Sequence, residues 1–131
     1  MNHPIESSLV LSDVDFAGLM ALSPPPELRA ELERAIVVPL DSMWPGIVTM
    51  GSRVRYRDDL SGQEREVVVV FPDEADPGRG KVSVLAPVGA ALIGLAEGQT
   101  IEWAFPDGRP RHLSVLAVTA PTGAERQDAA H

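Results

Sequence analysis

Apolar and polar positions alternate with a period of two along residues 52–57, SRVRYR, so Val54 and Tyr56 share one face and Arg53, Arg55 and Arg57 the other. This predicts a half-buried strand. Residues 67–71, VVVVF, form an unbroken apolar run and predict a central strand buried on both faces. A third strand is expected over 81–85, where Val82 and Val84 point one way. Pro87 is preorganised for a first helical position and Gly94 falls where a C-terminal glycine cap belongs, so 87–93 reads as about two helical turns. Gly89, Ala90 and Ala91 make that helix slim enough for close approach, while Val88, Leu92 and Ile93 are its apolar anchors. After the Glu97-Gly98 turn, Ile101, Trp103 and Phe105 alternate as a fourth strand. Pro106-Asp107-Gly108 then makes a hairpin turn, and 112–118 return as the fifth strand.

Toward the N terminus the period becomes helical. Residues 1–8 show no periodicity and are expected to be a loose or edge segment. Ser12 and Asp15 have capping-box spacing, and Phe16, Leu19 and Met20 share one helical face. Ser23-Pro24-Pro25-Pro26 must interrupt this helix, because consecutive prolines cannot continue it. Residues 27–36 restart a helix with Leu28, Leu32, Ala35 and Ile36 on one stripe and Arg29 four residues before Glu33. The resulting helical hairpin reads as a lid on the sheet's apolar face, or alternatively as a projecting arm of about 15 Å. Pro39, Pro45 and Gly46 mark a linker, and Trp44 within it is expected to plug against the domain rather than to serve as a ligand platform.

The organisation expected is a short N-terminal helical hairpin over 1–36, a linker over 37–49, a sheet domain over 50–119 and a flexible tail over 120–131. The fold class is α+β, a mostly antiparallel twisted sheet with one short helix.

Charge and composition narrow the chemistry. The chain has 131 residues, 44% hydrophobic and 23% charged, as in an ordinary globular domain. It contains no cysteine, which excludes disulfides, thiolate catalysis and cysteine-based zinc sites. No signal-peptide pattern or membrane-length apolar run is present, so a cytoplasmic location is expected. A net charge of −8 argues against direct gripping of nucleic acid and favours a protein partner. The three arginines in register invite an acidic or phosphate partner. Internal pairing competes with that reading, since a turn at Ser61-Gly62 sets Arg57 opposite Glu64 and Arg55 opposite Glu66, leaving Arg53 over. Asp73, Glu74 and Asp76 lack the pattern that wraps calcium and read as a solvated turn, so no metal or cofactor is expected. His112 has no nucleophile or co-ligand at motif spacing and reads as a surface residue. Without any hydrolase, zinc or phosphate-loop signature, an enzyme is not expected.

GSRVRYRD at 51–58, DEADPGRGKVSVLAPVGAALIGL at 73–95 and EWAFPDGRPRHLSVL at 102–116 resemble the C-terminal domain of the bacterial Gre transcript-cleavage factors. The resemblance is closer to the Rnk regulators of nucleoside diphosphate kinase, and it extends through ELERAIVVP at 31–39 and IVTMGSRVRYRD at 47–58. It implies an FKBP-like sheet domain that docks on RNA polymerase at the rim of the secondary channel. Leu85, Ala86, Pro87, Ala90 and Ala91 are the expected partner-binding residues, with Pro87, Ala90 or Ala91 accessible above the sheet. Leu85 departs from Gre factors that carry an acidic residue at that position. Cleavage-competent Gre factors help hold magnesium with acidic residues at the tip of a long coiled coil, whereas the tip here is SPPPE, with Glu27 its lone carboxylate. The chain is therefore expected to bind polymerase, as a monomer, without promoting cleavage. Two other readings stand beside this one: a module acting on another partner such as nucleoside diphosphate kinase, and an FKBP-like prolyl isomerase. The latter would draw its pocket from Phe16, Trp44, Tyr56, Phe71, Trp103 and Phe105.

Overall fold

The structure, a computed structural model, describes residues 9–104 and 108–121. The expectations for residues 1–8, for Phe105, Pro106 and Asp107 and for the tail beyond 121 lie outside the described residues. The elements run β1 (Val10–Ser12), α1 (Asp13–Met20), α2 (Pro26–Glu33), β2 (Ile36–Val38), β3 (Arg53–Asp58), β4 (Glu64–Val70), β5 (Lys81–Ser83), α3 (Pro87–Leu92), β6 (Thr100–Ala104) and β7 (Pro110–Thr119). Strands β3 to β7 form a five-stranded sheet in the order β5-β4-β3-β7-β6. Only the β4–β5 pairing is parallel, so the sheet is mostly antiparallel and the class is α+β, as the alternation predicts.

The β3–β4 hairpin has the anticipated register, with Arg55 opposite Glu66 and Arg57 opposite Glu64. Its turn closes through Asp58 N–H to the Gln63 carbonyl at 2.9 Å and Gly62 N–H to the Asp58 carbonyl at 2.7 Å. The ion pairs differ in detail. Arg53, expected to be left over, reaches Glu66 diagonally at 3.9 Å, and Arg57 turns back to Asp59 at 3.1 Å. Exposed pairs of this kind contribute at most about 1 kcal/mol each, so the register comes from the buried face and the turn. That buried face carries Val54 and Tyr56 of β3, Val67 and Val69 of β4 and Leu113 and Val115 of β7. The apolar run of β4 is buried as expected, although the middle strand of the sheet is β3 rather than β4. A β-bulge at Leu116 shifts the β3–β7 register between Arg55 and Tyr56.

The two N-terminal helices share the core of the sheet. Leu19 of α1 and Leu28 and Leu32 of α2 join Val48, Val54, Val69 and Leu92 in one buried cluster. Ser12 caps α1 by accepting from the Asp15 N–H at 3.0 Å, and the buried Asp15 carboxylate accepts from the Met50 N–H at 3.1 Å. Phe71 lies against Gly18, so close that a side chain there would meet its ring at 2.9 Å.

Two expectations are corrected here. Residues 34–36 leave the helix, because Ile36 pairs in parallel with Val10 and its N–H reaches the Leu9 carbonyl at 2.7 Å. The helical stripe therefore ends with Leu32, and the β1–β2 pair replaces the last turn. Trp44 is 49% exposed rather than buried. The segment is held to the domain by backbone bonds instead, Glu97 N–H to the Gly46 carbonyl at 2.9 Å and Val48 N–H to the Leu95 carbonyl at 2.8 Å.

Candidate functional site

Residues 83–92 build the first candidate surface. The Ser83 hydroxyl accepts from the Leu85 N–H and its carbonyl accepts from the Ala86 N–H, both at 3.0 Å, so the turn out of β5 is fixed by one residue. Pro87 then opens α3 at its first position, and Gly94 follows the helix with φ +83°, as a terminating glycine should. Leu85, Ala86, Pro87 and Val88 are half-buried along one rim. Ala90 is 5% exposed and Ala91 0%, so the expectation that either is accessible to a partner is overturned. The reason lies at Gly89, where an added Cβ would sit 2.2 Å from the Ser83 carbonyl oxygen. The small residues of α3 serve the approach of its backbone to β5 and the sheet, and only the N-terminal rim remains for contacts above.

A second feature was not anticipated. Beside α3 the buried face of the sheet opens into two adjoining clefts of about 350 and 430 Å³ that share Tyr56, Arg65 and Val88. Tyr56 and Arg65 are directly opposite one another on β3 and β4, which places both side chains on this face. Leu113 and the Asp58–Arg111 pair, at 2.9 Å, line the first cleft, and Val67, Val82 and Pro77 line the second. Asp58 Oδ1 also accepts from the Leu60 N–H at 2.9 Å, so its carboxylate is held from two sides. Among the described aromatic residues, Tyr56 alone lines either cleft, which departs from the aromatic pocket an isomerase would need.

Burial holds the Tyr56 hydroxyl above its ordinary value of 10.0; Asp58 adds to the rise, while the Arg65 and Arg111 guanidinium groups oppose it. The folded phenol thus keeps its proton to higher pH than the unfolded one. Its contribution to stability is complete below about pH 10 and is lost as pH rises through the folded value. Urea unfolding at increasing alkaline pH should show a steeper loss of stability in the wild type than in Tyr56→Phe. Because Tyr56 is the single tyrosine, an ultraviolet phenolate titration reports it alone.

The remaining sequence candidates are dispersed. His112 is exposed, as expected, 3.8 Å from Glu102. Asp76 pairs with Arg79 at 3.5 Å, and among the described residues no three His, Asp or Glu side chains converge as a metal site would require. No described helix is long and apolar enough to cross a membrane.

Comparison with known proteins places these features in a family. Residues 44–120 match the family described as transcription elongation factor, GreA/GreB, C-term. A regulator of nucleoside diphosphate kinase from Escherichia coli (strain K12) is 39% identical over 108 residues, 82% of this chain and 77% of that protein. A transcription elongation factor GreA from Desulfovibrio desulfuricans is 40% identical over 73 residues, covering 56% of this chain but only 45% of that protein. Among solved structures, a prokaryotic transcription elongation factor GreA/GreB from Nitrosomonas europaea superposes with a TM-score of 0.68 at 39% identity, covering 86% of this chain and 98% of that one. The chain belongs to the GreA/GreB transcription elongation factor family, through the C-terminal domain of that family, and is similar along most of its length to a regulator of nucleoside diphosphate kinase.

Proposed function

We propose that this chain is a cytoplasmic, monomeric regulator that binds RNA polymerase near its secondary channel and does not stimulate transcript cleavage. In this reading the sheet and α3 form an FKBP-like docking domain, and α1 and α2 form a short helical hairpin beside it. The observation that carries the docking assignment is the half-buried rim Leu85–Ala86–Pro87–Val88, held by Ser83 and supported from beneath by the fully buried Ala91 and Leu92. A pre-formed apolar edge of this kind loses little conformational entropy on association. The absence of cleavage rests on length and charge. Helices α1 and α2 have 8 residues each, hence extend only about 12 Å, and Glu27 is the lone carboxylate beside the proline turn.

Binding of the full chain to purified core polymerase tests the reading. Ala86→Arg, on the rim, should weaken binding about tenfold or more while leaving the folded signal intact, a loss of about 1.4 kcal/mol. No binding at micromolar protein would sink the polymerase assignment, and acceleration of transcript cleavage in stalled complexes would sink the non-cleaving one.

A further inference from the structure

The five-stranded sheet has two edges, and they are finished differently. At β5, Lys81 exchanges backbone bonds with Asp76 at 2.9 and 3.0 Å, and the Ser83 carbonyl accepts from the Ala86 N–H at 3.0 Å, so the outer side of that strand is already paired. At β6 the phase of the ladder decides which groups look outward. The Val115 N–H donates to the Gln99 carbonyl at 2.9 Å, and the register continues with Thr100 opposite Ser114 and Ile101 opposite Leu113. Antiparallel pairs alternate between bonded and non-bonded, so Ile101 and Trp103 carry the bonds to β7. Thr100, Glu102 and Ala104 therefore turn their N–H and C=O groups to the open side. Pro110 agrees with this phase, since it has no N–H and stands opposite Ala104, where the ladder calls for none. Among the described residues, no strand or turn pairs with that open side.

Strand β6 also lacks most devices that blunt an exposed edge: its five residues include no lysine and no proline, and its pairing has no bulge. A row of unpaired backbone groups fits one kind of occupant, another extended backbone about 4.8 Å away. The side chains then select among strands. Ile101 and Trp103 are half-buried against the core, while Glu102 is exposed, with His112 at 3.8 Å, beyond hydrogen-bond range. A second copy paired about the middle of β6 would set Glu102 against its own equivalent, and like charges directly opposite destabilise a pair. The net charge of −8 opposes self-association further. A foreign strand with a basic residue at that place has the complementary charge.

We propose that the open edge of β6 binds an extended peptide segment as an added antiparallel strand, with a lysine or arginine opposite Glu102 and apolar residues opposite Ile101 and Trp103. The basic residue exchanges both backbone bonds with Glu102 and sets its cation beside that carboxylate. This edge lies across the sheet from β5, out of which the Leu85–Val88 rim emerges, and the proposal does not depend on polymerase binding.

The test uses the full chain, isotopically labelled, titrated with acetyl-Thr-Val-Lys-Val-Thr-amide and followed by amide chemical shifts and hydrogen exchange. Saturable shifts centred on residues 100–104 are expected, with a dissociation constant of about 1 mM, and the Glu102 N–H should exchange about tenfold more slowly at about 10 mM peptide. Methylating the lysine amide nitrogen should abolish these effects, because it removes the donor to the Glu102 carbonyl. The peptide acetyl-Thr-Val-Glu-Val-Thr-amide should bind wild type about fivefold more weakly. Glu102→Lys, at an exposed position, should reverse that preference. The proposal is overturned if the N-methylated peptide binds as tightly as its parent, if the glutamate peptide binds wild type equally well, or if the shifts fall elsewhere or do not saturate. It is also overturned if residues 100–104 shift with protein concentration alone, which would assign the edge to a second copy.

Discussion

Gly89→Ala is expected to destabilise the protein by about 3 kcal/mol or more, read as a lowered midpoint in urea denaturation. The sign is the informative part. In an ordinary helix interior, replacing glycine by alanine stabilises by up to about 1 kcal/mol, because alanine loses less backbone freedom on folding. Here the new Cβ would lie 2.2 Å from the Ser83 carbonyl oxygen and 2.9 Å from the Val84 Cα. Both obstacles are backbone, and both belong to the β5 exit that positions Leu85 and Ala86, so neither can rotate aside. Helix α3 must lift from the sheet, taking Ala90, Ala91 and Leu92 out of close packing. A variant as stable as wild type would show that α3 does not sit where the structure places it.

Ala91→Glu should be more disruptive still, abolishing the cooperative unfolding transition and the native near-ultraviolet signal. Ala91 is wholly enclosed, and a glutamate there either buries a charge without a partner or is neutralised at the expense of overpacking. Costs above about 4 kcal/mol arise from such causes, and a small domain is commonly stable by only about 5–15 kcal/mol. Leu85→Glu, two residues before α3 on the half-buried rim, is the matched control and should remain folded. If Ala91→Glu folds normally, the inner face of α3 is not the one described.

These two variants show where residue type alone misleads. Gly89, Ala90 and Ala91 read as a slim helix open to close approach on two sides, and the approach occurs on one side only, toward the sheet. Size says that something comes near and does not say which neighbour it is. The β3–β4 hairpin was legible, down to Arg55 opposite Glu66, because alternation fixes the face and the Ser61-Gly62 turn fixes the register within a few residues. Strands β1 and β2 were not legible. Each has three residues, too few for a period, and Ile36 fits a helical stripe until Val10 competes for it. Trp44 stays outside because the linker is tied down by its backbone at Gly46 and Val48, which a reading of side-chain area does not register. The Tyr56 groove escaped for a topological reason. Asp58 and Arg111 meet across 53 positions of chain, through a bulged pairing that no local pattern announces. The only local hint was that Asp58 continues the buried register of Val54 and Tyr56, where a carboxylate requires a partner.

The N-terminal helices share one core with the sheet, and the Val10 N–H is tied to the Gly94 carbonyl at 3.0 Å, immediately beyond α3. The bearing of the proline turn between α1 and α2 relative to the sheet is therefore set by the buried packing of Leu19, Leu28 and Leu32, and repacking those three residues, rather than changing the length of the turn, is what would alter it.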